Sequence, residues 1–190
     1  MTTPFAKKLA EVAKDQYDRY HEHSEDDPEL TPQIRHYWED LGLGFPGVRE
    51  AWSAVFISWC VKQAGAIASE FHFSARHSVF VYHTIKNAIS KVGVFRAYDV
   101  GSYAPDVGDI IQNNRKGNIF DYDYARIHAK YESHSAIVIE KGVDVDGNYV
   151  RTIGGNESDS IRRKIIRLLD DGRIRQRDLD PYICVIQTLK

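Results

Sequence analysis

The chain has 190 residues, of which 43% are hydrophobic and 12% aromatic, enough to bury one sizeable core without disulfides or metal. Its 25 lysine and arginine residues nearly balance 27 aspartate and glutamate residues, and the net charge of −2 gives no general attraction to nucleic acid or anionic lipid. We therefore expect one domain and a small, uncharged or zwitterionic substrate.

The N-terminal third is predicted to be helical. A first helix follows from the spacing of Phe5, Leu9, Val12 and Tyr17, and it ends before an acidic loop. A second begins at "TPQIRHYWEDLG", with Thr31 as its N-cap. Because residues 1–20 contain no uninterrupted apolar core, we expect neither a signal peptide nor a membrane span, and synthesis in the cytoplasm.

Two further helices are predicted before residue 95, where the spacing of hydrophobic residues changes from a helical to a strand pattern. The third helix is predicted over residues 48–64 and the fourth over "HSVFVYHTIKNAISKVG". The later segments are short, rich in β-branched residues and separated by turns: "VGDIIQ", "HSAIVIEKGVDV", "NYVRTIGG", "IRRKIIRLL" and "PYICVIQTL". Helices first and strands later predict an α+β fold with an antiparallel sheet.

The polar and aromatic segment at residues 113–132 is too long for a simple hairpin loop. Loops of this length in compact domains are often functional or mobile, so we expect it to form a wall or lid of a cleft.

Three motifs are better explained without a cofactor. The G-x-G-x-x-G spacing of Gly42, Gly44 and Gly47 follows a helix instead of a strand, and "DVDGN" lacks the later ligands of a calcium loop. The neighbouring pairs among His72, His77 and His83 lack the spacing of one helical face. We expect neither metal nor cofactor, although His77 begins the fourth helix and could face the same cleft as Ser53.

The stretch "REAWSAVFISWC" contains a serine that packing does not explain. Its apolar residues repeat at helical spacing, whereas Ser53 lies near the helix start, where free backbone N–H groups could hold an oxyanion. A base and an orienting group are available in His134, at the head of a strand, and Asn156, on the partner strand, with Asp159 as an alternative. A simple helix-cap role for Ser53 is the competing interpretation.

These motifs together resemble the NlpC-type and CHAP-type branch of the papain-like cell-wall hydrolases. The resemblance rests on "WSAVFISW", "PDVGDII", "HSAIVIE" and "IGGNESDS", and it is nearest to a bacterial family of unknown function that carries a W-S-A-x-F-I-S-W helix. It implies a papain-like fold, with residues 1–44 as a helical extension and 45–190 as the catalytic core. It also implies the catalytic order Ser53, His134, Asn156 and an activity on stem peptides of peptidoglycan, as an amidase or endopeptidase.

The main departure is the nucleophile, because those enzymes carry cysteine where this chain has Trp52-Ser53. A serine hydroxyl ionises less readily than a thiol, and Cys60, two turns into the helix, is expected to be a buried inert thiol. The alternatives are therefore a cleft-bearing binding module without turnover, or a hydrolase of another amide or ester. The resemblance also suggests an antibacterial effector of a type VI-like secretion system that acts in the periplasm of a target cell. Its partners would then be peptidoglycan fragments, an immunity protein and a secretion component.

Overall fold

The computed structural model describes residues 2–190. Five helices occur in chain order: α1 (Pro4–Tyr20), α2 (Thr31–Asp40), α3 (Ser53–Gln63), α4 (His77–Ser90) and α5 (Tyr122–Ile127). Six strands form one sheet: β1 (Phe95–Asp99), β2 (Ile110–Asn114), β3 (Ser133–Asp144), β4 (Gly147–Glu157), β5 (Ser160–Arg167) and β6 (Tyr182–Thr188). The sheet order is β1-β6-β2-β3-β4-β5 and every pair is antiparallel, which confirms the predicted α+β class.

Local signals explain where the first two helices begin. The Thr3 hydroxyl accepts a hydrogen bond from Ala6 N at 3.1 Å, and Pro4 occupies the first turn of α1. The prediction of Thr31 as the N-cap of α2 is wrong, because buried Leu30 occupies that position. The Thr31 hydroxyl instead donates to the Glu25 carbonyl at 2.6 Å.

The sheet is covered by the helices on one face, and α3 lies at the centre of that layer. Every residue of α3 from Ser53 to Val61 is buried. The helix begins later than the predicted residue 48, because residues 47–50 form a turn in which Glu50 N donates to the Gly47 carbonyl at 3.4 Å. The helix-side core contains Trp52, Phe56, Ile137 and Ile153, whereas the opposite face of the sheet carries a second, smaller cluster that includes Val138 and Tyr182.

Sequence periodicity missed two elements. Strand β1 follows α4 directly and pairs with β6, which inserts between β1 and β2. Helix α5 lies inside the predicted loop at residues 113–132, where the Asp121 side chain accepts a hydrogen bond from Tyr124 N at 2.8 Å and so starts one short helix. The turn predicted between "HSAIVIEKGVDV" and "NYVRTIGG" is confirmed, since β3 and β4 form a hairpin in which Asp144 lies opposite Gly147.

Candidate active site

The starts of two helices meet at Ser53 and His77. Ser53 is the first residue of α3 and His77 is the first residue of α4. Ser53 Oγ lies 2.7 Å from His77 Nε2, and the two residues are 2% and 5% exposed. The structure therefore gives the serine a histidine partner at short hydrogen-bond distance, and that partner is His77.

Ser53 Oγ makes its hydrogen bond with His77 and has none directly with His134 among residues 2–190, so a contact between Ser53 and His134 through one water stays a prediction. Side chains alternate along a strand, and His134 shares its face of β3 with Val138, on the side of the sheet away from the helix core. His134 Nε2 donates to Glu157 Oε1 at 2.7 Å. Its ring still approaches His77, with 5.3 Å between the ring centroids, at the end of the strand.

The predicted contact between His134 and Asn156 is wrong, because the β4–β5 register is interrupted between Gly154 and Glu157. Within this irregularity Asn156 has a left-handed backbone with φ of 54°. The Asn156 amide consequently donates to Glu25 Oε2 at 2.8 Å, and Glu157 takes the place beside the imidazole of His134.

The other predicted site residues have structural contacts. The Trp52 indole N–H donates to Glu25 Oε2 at 2.9 Å, so Trp52 and Asn156 share one carboxylate oxygen. Asp159 is exposed, and its carbonyl accepts a hydrogen bond from Glu25 N at 2.7 Å. Cys60 is fully buried, and burial raises the pKa of its thiol well above the ordinary value, as expected of an inert core cysteine.

Burial and neighbouring charges control ionisation at the site. Burial lowers the pKa of the His77 imidazole well below its ordinary value, and the nearby His134 and Arg115 lower it further. Burial alone would raise the pKa of the Glu157 carboxyl, but the hydrogen bond and charge of His134, together with Lys164, bring that pKa below its ordinary value. Lys164 Nζ lies 2.5 Å from Glu157 Oε2. The resting site thus combines a neutral His77 with an ionised Glu157.

Two cavities open at the site. One, of about 420 Å³, is lined by Ser53 and His77 and, on its other wall, by residues of the segment at 113–132. The predicted wall role of that segment is therefore confirmed for Arg115, Lys116, Tyr131 and Glu132. The second cavity, of about 340 Å³, is lined by His134 and Glu157, and Arg115 borders both cavities.

The first turn of α3 offers backbone donors to the Ser53 cavity. The residue before the helix, Trp52, makes no side-chain cap, and the first hydrogen bond of the helix is donated by Phe56 N to the Trp52 carbonyl at 2.9 Å. Ser53 and Ala54, which precede Phe56, both line the cavity. The N–H groups of a first helical turn have no partner within their helix and can bind developing negative charge.

Two adjacent glycines of β4 leave space for side chains on the two faces of the sheet. A Cβ added to Gly154 would collide with Glu157 Oε1 and would lie 2.9 Å from His134 Nε2. A Cβ added to Gly155 would lie 2.7 Å from both Phe56 and Trp52. One glycine therefore leaves room for the His134–Glu157 pair, and the other allows α3 to pack against β4.

Sequence reasoning missed four residues at the site: Glu25, Arg115, Glu157 and Lys164. Glu157 directly follows the predicted Asn156 in the sequence "GGNE", so the sequence indicated the correct neighbourhood. Only the irregularity of the strand determines that Glu157, and not Asn156, contacts His134. Glu25 lies in the acidic loop, where nothing in the local sequence distinguishes it from its acidic neighbours.

Residues 2–190 contain no group of three or more His, Cys, Asp or Glu side chains arranged to hold a metal ion. His72 and His83 stack with 4.1 Å between their ring centroids, and both are exposed. None of the helices described here is both long and apolar enough to cross a membrane.

No curated protein and no solved structure matches the chain. One family model does match, over residues 31–184, and it is described as "Uncharacterized protein conserved in bacteria (DUF2272)". Since this match spans most of the sequence, the chain belongs to this bacterial family.

Proposed function

We propose that the protein is an amide hydrolase in which Ser53 is the nucleophile and His77 is the base. The observation that carries this proposal is the 2.7 Å contact between Ser53 Oγ and His77 Nε2 at the edge of an open cavity. A serine becomes an effective nucleophile when a neutral histidine can take its proton during attack. The lowered pKa of His77 keeps that imidazole neutral near neutral pH.

The reaction would proceed through an acyl-serine. His77 Nε2 accepts the hydroxyl proton as Ser53 Oγ attacks the carbonyl carbon, and the first-turn N–H groups of α3 hold the resulting oxyanion. His77 then transfers the proton to the leaving nitrogen, and the amine departs. Water then attacks the acyl carbon while His77 takes one proton from it. His77 passes that proton to Ser53 Oγ as the ester bond breaks, which releases the carboxylic acid and restores the Ser53 hydroxyl.

The His134–Glu157 pair sets the electrostatic environment of His77 in this proposal. When His77 takes the serine proton, positive charge forms close to the His134 ring, whose centroid is 5.3 Å away. The His134 ring disfavours that charge, as its lowering effect on the pKa of His77 indicates. The ionised Glu157 carboxylate bonded to His134 partly offsets this effect, and Lys164 in turn weakens the contribution of Glu157. We assign His134 and Glu157 as residues that act on His77 through their charge, without a hydrogen bond to its ring.

The proposed substrate is a stem peptide of peptidoglycan, cut by an amidase or endopeptidase activity. Support comes from the resemblance to NlpC-type and CHAP-type enzymes, in which a nucleophile begins a helix and a histidine begins the following strand of an antiparallel sheet. Here Ser53 begins α3 and His134 is the second residue of β3, so the layout fits a papain-like fold. The proposed base departs from that pattern, because His77 begins a helix. An ester or another amide remains the alternative substrate class.

The test is hydrolysis of a defined muropeptide by wild-type protein and three variants. Ser53→Ala should abolish release of fragments, whereas Ser53→Cys should retain or raise it because a thiol ionises more readily beside a histidine. Cys60→Ala is the control for the other nucleophilic side chain and should retain activity. Activity that survives Ser53→Ala and is lost with Cys60→Ala would overturn the assignment of Ser53.

One observation favours the second candidate, a binding module without turnover. His77 Nδ1 is buried and has no hydrogen-bond partner among residues 2–190, so no third group orients the imidazole as an aspartate or asparagine would. A binding module would bind the muropeptide but release no fragments, even as Ser53→Cys. Chromatography of the products together with calorimetric binding distinguishes the two candidates.

The proposal extends to an antibacterial effector delivered by a type VI-like system and neutralised by an immunity protein. A hydrolase of stem peptides acts where peptidoglycan is exposed, in the periplasm of a target cell. Expression directed to the periplasm of a laboratory bacterium should cause lysis, and expression retained in the cytoplasm should not. Equal growth under both conditions, with Ser53→Ala as the control, would contradict the effector role.

A further inference from the structure

Arg115 occupies the border between the two cavities of the site. It directly follows Asn114, the last residue of β2, and is half-buried. It lines the Ser53 cavity and also the His134 cavity. Its guanidinium has no hydrogen bond and no ion pair with any residue in the range 2–190.

The backbone around Arg115 is firmly held. The buried Asn114 amide donates to the carbonyls of Phe120 at 2.8 Å and Pro181 at 2.9 Å, and Asn114 Oδ1 accepts from Phe120 N at 2.8 Å. The Arg115 carbonyl accepts a hydrogen bond from the Asn118 amide at 2.8 Å. The fold therefore fixes the position of this residue and leaves only its charged end without a partner.

Three other cations along the two cavities already have partners. Lys116 lies 3.0 Å from Glu132, and Lys164 lies 2.5 Å from Glu157. Arg177 stacks on Tyr182 at 4.5 Å and donates to the Asp180 carbonyl at 3.0 Å.

Two unpaired charges remain in the Ser53 cavity besides Arg115, and both belong to exposed side chains. They are the guanidinium of Arg76 and the carboxylate of Glu50. With Lys116 and Glu132 included, the cavity carries three cationic and two anionic side chains, a net positive balance. Arg115 is thus the half-buried cation of this cleft that lacks a counter-ion.

We propose that Arg115 binds a carboxylate of the substrate beside the scissile bond, so that the preferred substrates are peptides with a free carboxyl group close to the amide that is cut. This inference rests on the proposed function for the position of the scissile bond. A guanidinium can hold a carboxylate through two parallel hydrogen bonds, which fixes the orientation of the substrate as well as its position. The same carboxylate would offset a positive charge next to His77.

The experiment measures binding without turnover, in the Ser53→Ala background. The two probes are one muropeptide with free carboxyl groups and the same muropeptide with those groups amidated, and affinity is measured by calorimetry. Loss of a charge-assisted contact should weaken binding of the carboxylate form by about tenfold or more in Arg115→Gln. The amidated form should bind equally to both proteins.

Lys116→Ala is the matched control, because it removes a neighbouring charge of the same loop that Glu132 already neutralises. It should weaken binding of the carboxylate form much less than Arg115→Gln does, and Arg115→Lys should retain part of the preference for the carboxylate form. Thermal unfolding of each variant verifies the fold. Equal affinity of the parent protein for both probes, or equal losses in Arg115→Gln and Lys116→Ala, would overturn the inference. If carboxylate binding depends on Arg115 but the protein with Ser53 intact hydrolyses neither probe, this inference is supported and the proposed function is overturned.

Discussion

His77 contacts Ser53 and His134 lies beside His77, and the contacts of the two histidines give them different roles. His77 touches the serine hydroxyl, whereas the hydrogen bond of His134 goes to Glu157. On a defined muropeptide we expect His77→Ala to lower kcat by about a hundredfold or more, the usual contribution of a general base. His134→Ala should cause a smaller loss. A larger loss for His134→Ala would indicate that the substrate complex brings His134 to Ser53 instead.

Cys60 offers a separate prediction about stability. Its side chain is fully buried in the core of α3, where truncation leaves a small void. Cys60→Ala should lower the free energy of unfolding by about 1 to 2 kcal/mol and leave kcat unchanged. Urea unfolding and muropeptide hydrolysis of the same preparation measure both effects. Unchanged stability with lost activity would contradict an inert role for this thiol.

At the scale of elements, two glycines of β4 give a matched pair of variants. Gly154→Ala places a methyl group against His134 and Glu157, so it should reduce activity more than stability. Gly155→Ala places a methyl group against Phe56 and Trp52 in the core, so it should lower the free energy of unfolding by about 1 to 3 kcal/mol through overpacking. Kinetic assays measure the loss of activity of each variant, and urea unfolding measures its loss of stability. Identical effects of the two substitutions would contradict separate roles.

The segment at residues 113–132 combines a fixed base with exposed tips. Its wall position beside Ser53 is established, but the greater mobility expected from its length stays a prediction. Ile119 is 79% exposed and Ile127 is 65% exposed, so these parts bury little apolar surface. Amide hydrogen exchange should be faster at residues 117–128 than in the central strand β3. Equal protection of the two regions would contradict the prediction.

Across the whole molecule, the hydrophobic periodicity of the sequence predicted the α+β fold class and most helices and strands. The contacts of the site residues depend on features that leave no periodic pattern in the sequence. Strand β3 is apolar on both faces, so its pattern could not show on which side of the sheet His134 lies. The irregularity of β4 after Gly154 places Glu157 instead of Asn156 beside His134. The starts of α3 and α4 lie together, which brings Ser53 into contact with His77. These contacts are determined by tertiary packing, which the local sequence pattern does not show.

The N-terminal region also contributes to the site through contacts between distant parts of the chain. Glu25 precedes the family match at residues 31–184, yet its carboxylate holds both Trp52 and Asn156. The chain before the matched region is therefore part of the structure that supports Ser53. Sequence spacing alone could not reveal this contact, because Glu25 and Asn156 are 131 residues apart in the sequence.

A buried carboxylate on the sheet gives the molecule an expected pH dependence. Asp109 accepts hydrogen bonds from Thr188 N at 2.9 Å, Asp106 N at 2.9 Å and the Tyr103 hydroxyl at 3.0 Å, and so connects the start of β2 with the end of β6. Burial raises the pKa of Asp109 to about 6, although these hydrogen bonds oppose the shift. The folded state therefore binds a proton at this carboxyl more tightly than the unfolded chain does.

Asp109 should consequently add stability as the pH falls from about 7 to about 5, by about 1 kcal/mol. His77 acts in the opposite direction, because its lowered pKa keeps it neutral when folded while the unfolded chain takes up a proton below its ordinary pKa. The lowered pKa of Glu157 matters only at more acidic pH, where protonation of its carboxyl removes stability. The difference between wild type and Asp109→Asn isolates Asp109, since His77 and Glu157 are common to both proteins. Urea unfolding at several pH values should show wild type gaining stability relative to Asp109→Asn on acidification, and parallel curves would contradict this role.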